Sequence, residues 1–160
     1  MSSPPADLGT PENYLPPGVL LDQEDSIDMA CDLWALGCTL FEIRLQLPLS
    51  YMLIDRDELQ AEMVRFFGKP PQTWWDKWER REEFFDDQGV WLQASKEQWS
   101  LEVALNKPME IVQGGTVQKA VKISIQEQQA IMDLLYGMFQ FEPGKRLSID
   151  QVLNHKLFEM

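Results

Sequence analysis

The sequence predicts a mainly α domain, and three observations carry that reading. The first is a stretch over 27–45 that is apolar almost all round. The other two are helix-start signals, Ser124 with Glu127 and Ser148 with Gln151, each ahead of apolar residues at helical spacing. With 160 residues, 44% of them hydrophobic and 11% aromatic, the chain can bury one domain core.

Residues 1–18 are rich in Pro, Gly, Ser and Thr and read as loop. Ser26 is a suitable N-cap, and Asp28 suits the positive end of the dipole. Behind them Ile27, Met29, Ala30, Cys31, Leu33, Trp34, Leu36, Cys38, Leu40, Phe41 and Ile43 leave no polar face, the mark of a helix buried inside a domain. Arg44 closes it at the end where a cation is favoured. A second helix is expected over 57–67, with Leu59, Met63, Phe66 and Phe67 on one face and Gly68 and Pro70 as its stop. An aromatic block follows over 74–85, compatible with helix. Residues 86–123 show weak periodicity and a Gly114-Gly115 turn, which gives no assignment. Final helices are expected over 125–140, where Ile131, Leu134, Leu135, Met138 and Phe139 form a stripe, and over 149–156.

The formal charge of -12 argues against nucleic-acid and anionic-membrane binding, because phosphate would be repelled. No apolar run reaches the roughly 20 residues of a membrane span, and no secretory signal is visible at the start. Cys31 and Cys38 lie on one helix about 10 Å apart, too far for a disulfide. They read as buried thiols of a reducing compartment, so a cytoplasmic or nuclear location is expected.

Asp32 is the residue of most interest. Apolar neighbours surround it, and a buried carboxylate costs several kcal/mol unless hydrogen bonds satisfy it. An exposed Asp at the helix edge is the plain alternative. Asp32-Leu33-Trp34-Ala35-Leu36-Gly37-Cys38 resembles the D-x-W-x-x-G helix at the centre of the large lobe of eukaryotic protein kinases. Upstream, Gly9-Thr10-Pro11-Glu12-Asn13-Tyr14-Leu15-Pro16-Pro17-Gly18 is similar to the end of the kinase activation segment, G-T-x-x-Y-x-A-P-E. Downstream, Phe141 to Ser148 with Leu153 and His155 resembles the closing F-x-P-x-x-R-x-(T/S)…L-x-H segment. The three patterns stand in family order and together span nearly the whole chain. The Trp-rich block is most similar to SR-protein-kinase-like sequences of fungi.

This resemblance implies the helical C-terminal lobe of the kinase fold, incomplete, over 1–160, with the activation-segment end at 1–21. It implies substrate-side roles for Gly9, Thr10 and Tyr14, and structural roles for Asp32, Trp34, Gly37 and Arg146. In the family the Asp accepts backbone hydrogen bonds from the catalytic loop. Two departures matter. The family Glu of A-P-E is Gly18 here, so Arg146 is expected to be exposed or to find another acid, such as Glu12 or Glu142. Asn13 reads as a one-residue insertion.

Phosphoryl transfer needs a glycine-rich loop, a paired lysine, a catalytic-loop Asp and Asn, and a metal-binding D-F-G Asp. The sequence contains no G-x-G-x-x-G, H-R-D or D-F-G, and Gly144-Lys145-Arg146 is no P-loop. No catalytic, cofactor-binding or metal residue is therefore assigned. ATP and magnesium are implied for the parent family only, whose reaction is phosphorylation of protein Ser or Thr. The expectation is a catalytically incompetent kinase portion, with a non-catalytic, pseudokinase-like interaction module as the alternative. Its expected partner is a protein or the missing kinase half. His155 with Cys31 and Cys38 lacks zinc spacing, and a Cys38–His155 nucleophile pair is disfavoured by the buried helix. Glu82-Glu83 and Asp86-Asp87 read as a solvated face. Trp74, Trp75 and Trp78 read as core anchors before a ligand cage.

Overall fold

A computed structural model describes residues 9–21, 29–49, 55–92, 100–113, 116–121 and 123–160. Its α-helices are α1 (Pro17–Leu20), α2 (Met29–Leu45), α3 (Arg56–Phe67), α4 (Gln72–Lys77), α5 (Leu101–Leu105), α6 (Ile125–Met138) and α7 (Ile149–Leu153). An antiparallel hairpin joins β1 (Met109–Gln113) to β2 (Thr116–Val121), with its register broken between Ile111 and Val112. The fold is mainly α, as the sequence predicts. The segment without an assignment holds α5 and the hairpin. The Gly114-Gly115 turn and the Ser26 cap lie outside the described residues.

The helix ends follow local chemistry. Asp55 caps α3 by accepting from Glu58 N at 2.9 Å, and Gly68, with φ 88°, closes it by donating to Val64 O. Ser124 accepts from Glu127 N at the head of α6, one arm of a capping box, whereas Ser148 and Gln151 form both arms at α7. α6 and α7 are shorter than expected, and a 3-10 turn over Lys156–Glu159 replaces the last turn of the predicted final helix.

Helix α2 runs through the centre. Cys31, Trp34, Gly37, Cys38 and Phe41 are buried. Trp34 is wholly enclosed and meets Phe67 and Phe139 edge-on, with centroids 5.7 and 4.9 Å away. Leu59, Met63, Phe66, Leu101, Leu105 and Leu135 complete this core. Gly37 is required by the close approach of α6, since a Cβ there would stand 3.0 Å from the Phe139 ring. The helix is not buried all round, however. Met29, Leu36 and Ile43 are exposed, and they share a face at i, i+7 and i+14. An all-round apolar sequence here means one face that is left exposed among the described residues.

A second core forms around the aromatic block, which is not one helix. The chain breaks at Trp78 (ψ 100°) between α4 and a 3-10 turn over Glu79–Glu83. Trp75, Trp78, Phe84 and Phe85 are buried against Ala61 and Val64 of α3. Trp78 Nε1 donates to Asp57 Oδ1 at 2.6 Å, which satisfies the indole as its ring is buried. No helix of the described residues is long and apolar enough to cross a membrane.

Candidate functional site: the loop before α1 and the centre of α2

Gly9 has φ 61°, a left-handed backbone that glycine adopts without a Cβ penalty. The chain then makes a 3-10 turn over Glu12–Tyr14, closed by Tyr14 N to Pro11 O at 2.9 Å. Asn13 sits inside this turn. Leu15, Pro16, Pro17, Gly18 and Leu20 are buried behind it, and Pro16 extends the backbone into α1, where Pro17 at N1 lacks the amide that would be orphaned there. Thr10 is half-buried.

Tyr14 is tied to α2. Its hydroxyl donates a short hydrogen bond to the Glu42 carboxylate, which holds the phenol above its ordinary range, because ionising it would lose that bond and place two anions together. Glu42 is not among the sequence candidates. Its one signal is an acid within the last turns of an otherwise apolar helix. Glu12 pairs with Arg56 of α3 at 2.9 Å across an exposed surface.

Asp32 departs from the burial expected of it. It lies in the first turn of α2 and is exposed, on the same side as Met29 and Leu36. The cost of a buried carboxylate does not arise, since water solvates it and the helix dipole favours an acid there. No hydrogen bond to its carboxylate is formed among the described residues.

Arg146, by contrast, is buried rather than exposed. It is 7% exposed, and neither acid considered for it is its partner. Glu142 pairs with Lys145, and Glu12 with Arg56. The guanidinium instead donates to three main-chain carbonyls, Nε to Gln140 O at 2.8 Å, Nη1 to Ala30 O at 2.8 Å and Nη2 to Phe141 O at 3.0 Å. Its carbon lies 5.3 Å from the Trp34 ring centroid, a cation–π contact. These carbonyl dipoles and the aromatic face help to solvate the charge. Arg146, Trp34 and Gly37 thus converge on one centre, where α2, the end of α6 and the Pro143–Lys145 turn meet.

The other sequence candidates do not assemble chemistry. Burial pushes the Cys38 thiol up to about 12, which leaves it protonated and inert. His155 is engaged at the C-terminal turn, 3.4 Å from Asp133. Among the described residues no group of His, Cys, Asp or Glu could hold a metal ion. Trp75 and Trp78 pack on each other at 5.9 Å and on Phe85, as core rather than as an open cage. Glu82, Glu83, Asp86 and Asp87 are all exposed. A cleft of about 320 Å³ lies between Leu20, Gln60 and Trp78, rimmed by charged side chains. Arg80 on that rim already holds Asp55, Asp57 and Glu83, and these carboxylates keep its guanidinium charged.

The chain is 26% identical over 147 residues to the dual specificity protein kinase CLK2 of Homo sapiens, covering 91% of this chain and 27% of that protein. It is 26% identical over 130 residues to the human dual specificity protein kinase CLK4, covering 81% of this chain and 25% of that one. A serine/threonine-protein kinase of Candida albicans is 30% identical over 145 residues, 91% of this chain and 16% of its own length. The chain therefore spans about a quarter, or less, of the length of these relatives. The model of the protein kinase domain family matches residues 3–158, and the chain belongs to that family.

Proposed function

We propose that this chain is the rear part of the large lobe of a serine/threonine protein kinase, unable to transfer phosphate by itself. The observation that carries the proposal is the open face of α2. Met29, Leu36 and Ile43 are exposed on it, and the Asp32 carboxylate stands among them ready to accept N–H donors. An apolar stripe around a single acceptor suits a segment that brings both apolar side chains and backbone amides. A kinase half carrying the catalytic loop is such a segment, and it is the partner proposed here.

The family reaction uses ATP and magnesium. The residues of this chain do not fit them: no group of described carboxylates could hold a metal ion, and no glycine-rich loop is present to cradle phosphates. No catalytic step is assigned to this chain. Its contribution to the lobe would be the Gly9–Tyr14 loop, fixed by Tyr14 on Glu42, and the Trp34–Arg146 centre that fixes α2. The cytoplasm or nucleus is the proposed location, consistent with the two buried free thiols.

Calorimetry and thermal melting of the purified chain with Mg-ATP test the first part. Neither binding heat nor a melting shift is expected, and a saturable response at micromolar ATP would overturn the proposal. For the second part, Leu36→Asp and Ile43→Asp place charge on the exposed stripe without entering the core. Co-expression with an upstream kinase half should recover a complex with the wild-type chain and none with the double variant. The alternative of an interaction module acting through the 74–85 block is weakened by the burial of Trp75 and Trp78, whose removal would collapse the second core before testing an interface.

A further inference from the structure

His155 is the only histidine of the chain, and the kinase reading leaves it without a task. It stands at the N-cap of the last 3-10 turn, Lys156–Glu159, where its ring does what a Ser or Asp hydroxyl or carboxylate ordinarily does. Nδ1 accepts the N–H of Leu157 at 3.2 Å. A nitrogen that accepts carries no hydrogen, so the ring is neutral and its hydrogen is on Nε2, which faces Asp133 Oδ2 at 3.4 Å. Two charged groups face the ring, Asp133 from α6 and Lys156 from its own turn. Lys156 Nζ also holds Asp133, at 2.7 Å. On the α7 side the backbone N–H of His155 donates to the Val152 carbonyl at 3.1 Å. Behind the cap, Leu157 packs on Leu134, Met138 and Val152.

We propose that His155 is a proton-operated latch, which in its neutral form holds the C-terminal turn against α6 and on protonation releases it. A second proton can only go to Nδ1, and the ring then presents a donor to the Leu157 N–H, itself a donor. The cap is lost. The same proton strengthens the pair with Asp133, but that carboxylate is 60% exposed and already shared with Lys156, so the gain is small. The imbalance favours release.

The test is NMR on the full chain from pH 8 to pH 5, following the single imidazole and the Leu157 amide together. Protection of that amide against exchange, corrected for intrinsic pH dependence, should fall about tenfold, the equivalent of a lost helix cap. Its midpoint should coincide with that of the ring. His155→Asn keeps a side-chain acceptor at every pH and should hold Leu157 protection flat. Asp133→Asn leaves the cap intact and should move both midpoints together to lower pH. Protection that stays level while the ring titrates, or a fall that persists in His155→Asn, would overturn the latch. Should His155→Asn fail to fold, separate midpoints for ring and amide in Asp133→Asn would overturn it equally.

Discussion

Each end of α2 is associated with a buried arginine, and the two are solved differently. Near the N-terminal end, Arg146 reaches across to Ala30 O and has an acceptor on Nε, Nη1 and Nη2, with Trp34 against its face. At the C-terminal end, Arg44 is 8% exposed, and its Nε and Nη1 are buried with no acceptor. Burial pushes the Arg44 guanidinium below its ordinary range, and the charge of Glu127 draws it back only in part. The sequence makes Arg44 a cation suited to the helix terminus, and the structure adds that the residue lies on the enclosed side of the last turn. Burial alone therefore says little about what an arginine contributes. What decides is how many of its donors find acceptors.

The largest effect that would break this comparison lies at Arg146. Arg146→Ala should cost about 3–5 kcal/mol in urea unfolding, because it strips three half-buried carbonyls of their donor and opens space beside Trp34. Arg146→Lys should recover less than half, since an ammonium cannot span three acceptors in a plane. A loss below about 1 kcal/mol would mean that water replaces the guanidinium freely. Next is Gly137→Ala, where the new Cβ would meet Leu147 Cδ1 at 2.6 Å, beside the turn that carries Arg146. Overpacking of that kind costs about 1–3 kcal/mol, read as a lower denaturation midpoint.

Arg44 predicts the opposite sign. Arg44→Met keeps the stem and removes the unsatisfied donors, and should stabilise by about 1–2 kcal/mol. If Arg44→Met instead destabilises as much as Arg146→Ala, the two ends are alike after all. The smallest effect concerns the stretch between them. Cys38 is raised to about 12 in the folded chain from 9.0, so the folded state holds that proton more tightly than the unfolded one. Its contribution is full below about pH 9 and is lost as pH rises toward 12, the loss reaching about 1.4 kcal/mol near pH 10. Urea midpoints at pH 8 and 10 should therefore drop further in the wild type than in Cys38→Ala. Equal drops would show that the middle of α2 is wetter than its ends.

Helix caps were legible from sequence because their chemistry is local. Ser124, Ser148 and Gly68 needed only their neighbours to be read. The α6 stripe was legible for the same reason, and Leu134, Leu135, Met138 and Phe139 are indeed buried. The hairpin was not, since each strand is short and the irregularity at Ile111/Val112 breaks the period-2 signal. Asp32 misled because periodicity reports which positions are apolar and is silent on which apolar face has a partner. The carbonyls that Arg146 reaches are groups that every residue carries and no sequence pattern marks. The family pattern drew attention to Trp34, Gly37 and Arg146, which meet in space, while leaving the hydrogen bonds between them and their surroundings to be found.

The bond from Arg146 to Ala30 joins residues 116 positions apart, and that separation has a consequence for synthesis. A ribosome adds about 5–20 residues per second, so the α2 region would emerge many seconds before Phe139 and Arg146 exist to enclose Trp34. During that interval α2 can pack on α3, but the side of Trp34 that Phe139 closes stays open. Long-range closure also slows folding once the chain is complete, because the loop entropy is spent before any contact repays it. Nascent α2 is thus the segment on which a chaperone would be expected to dwell longest.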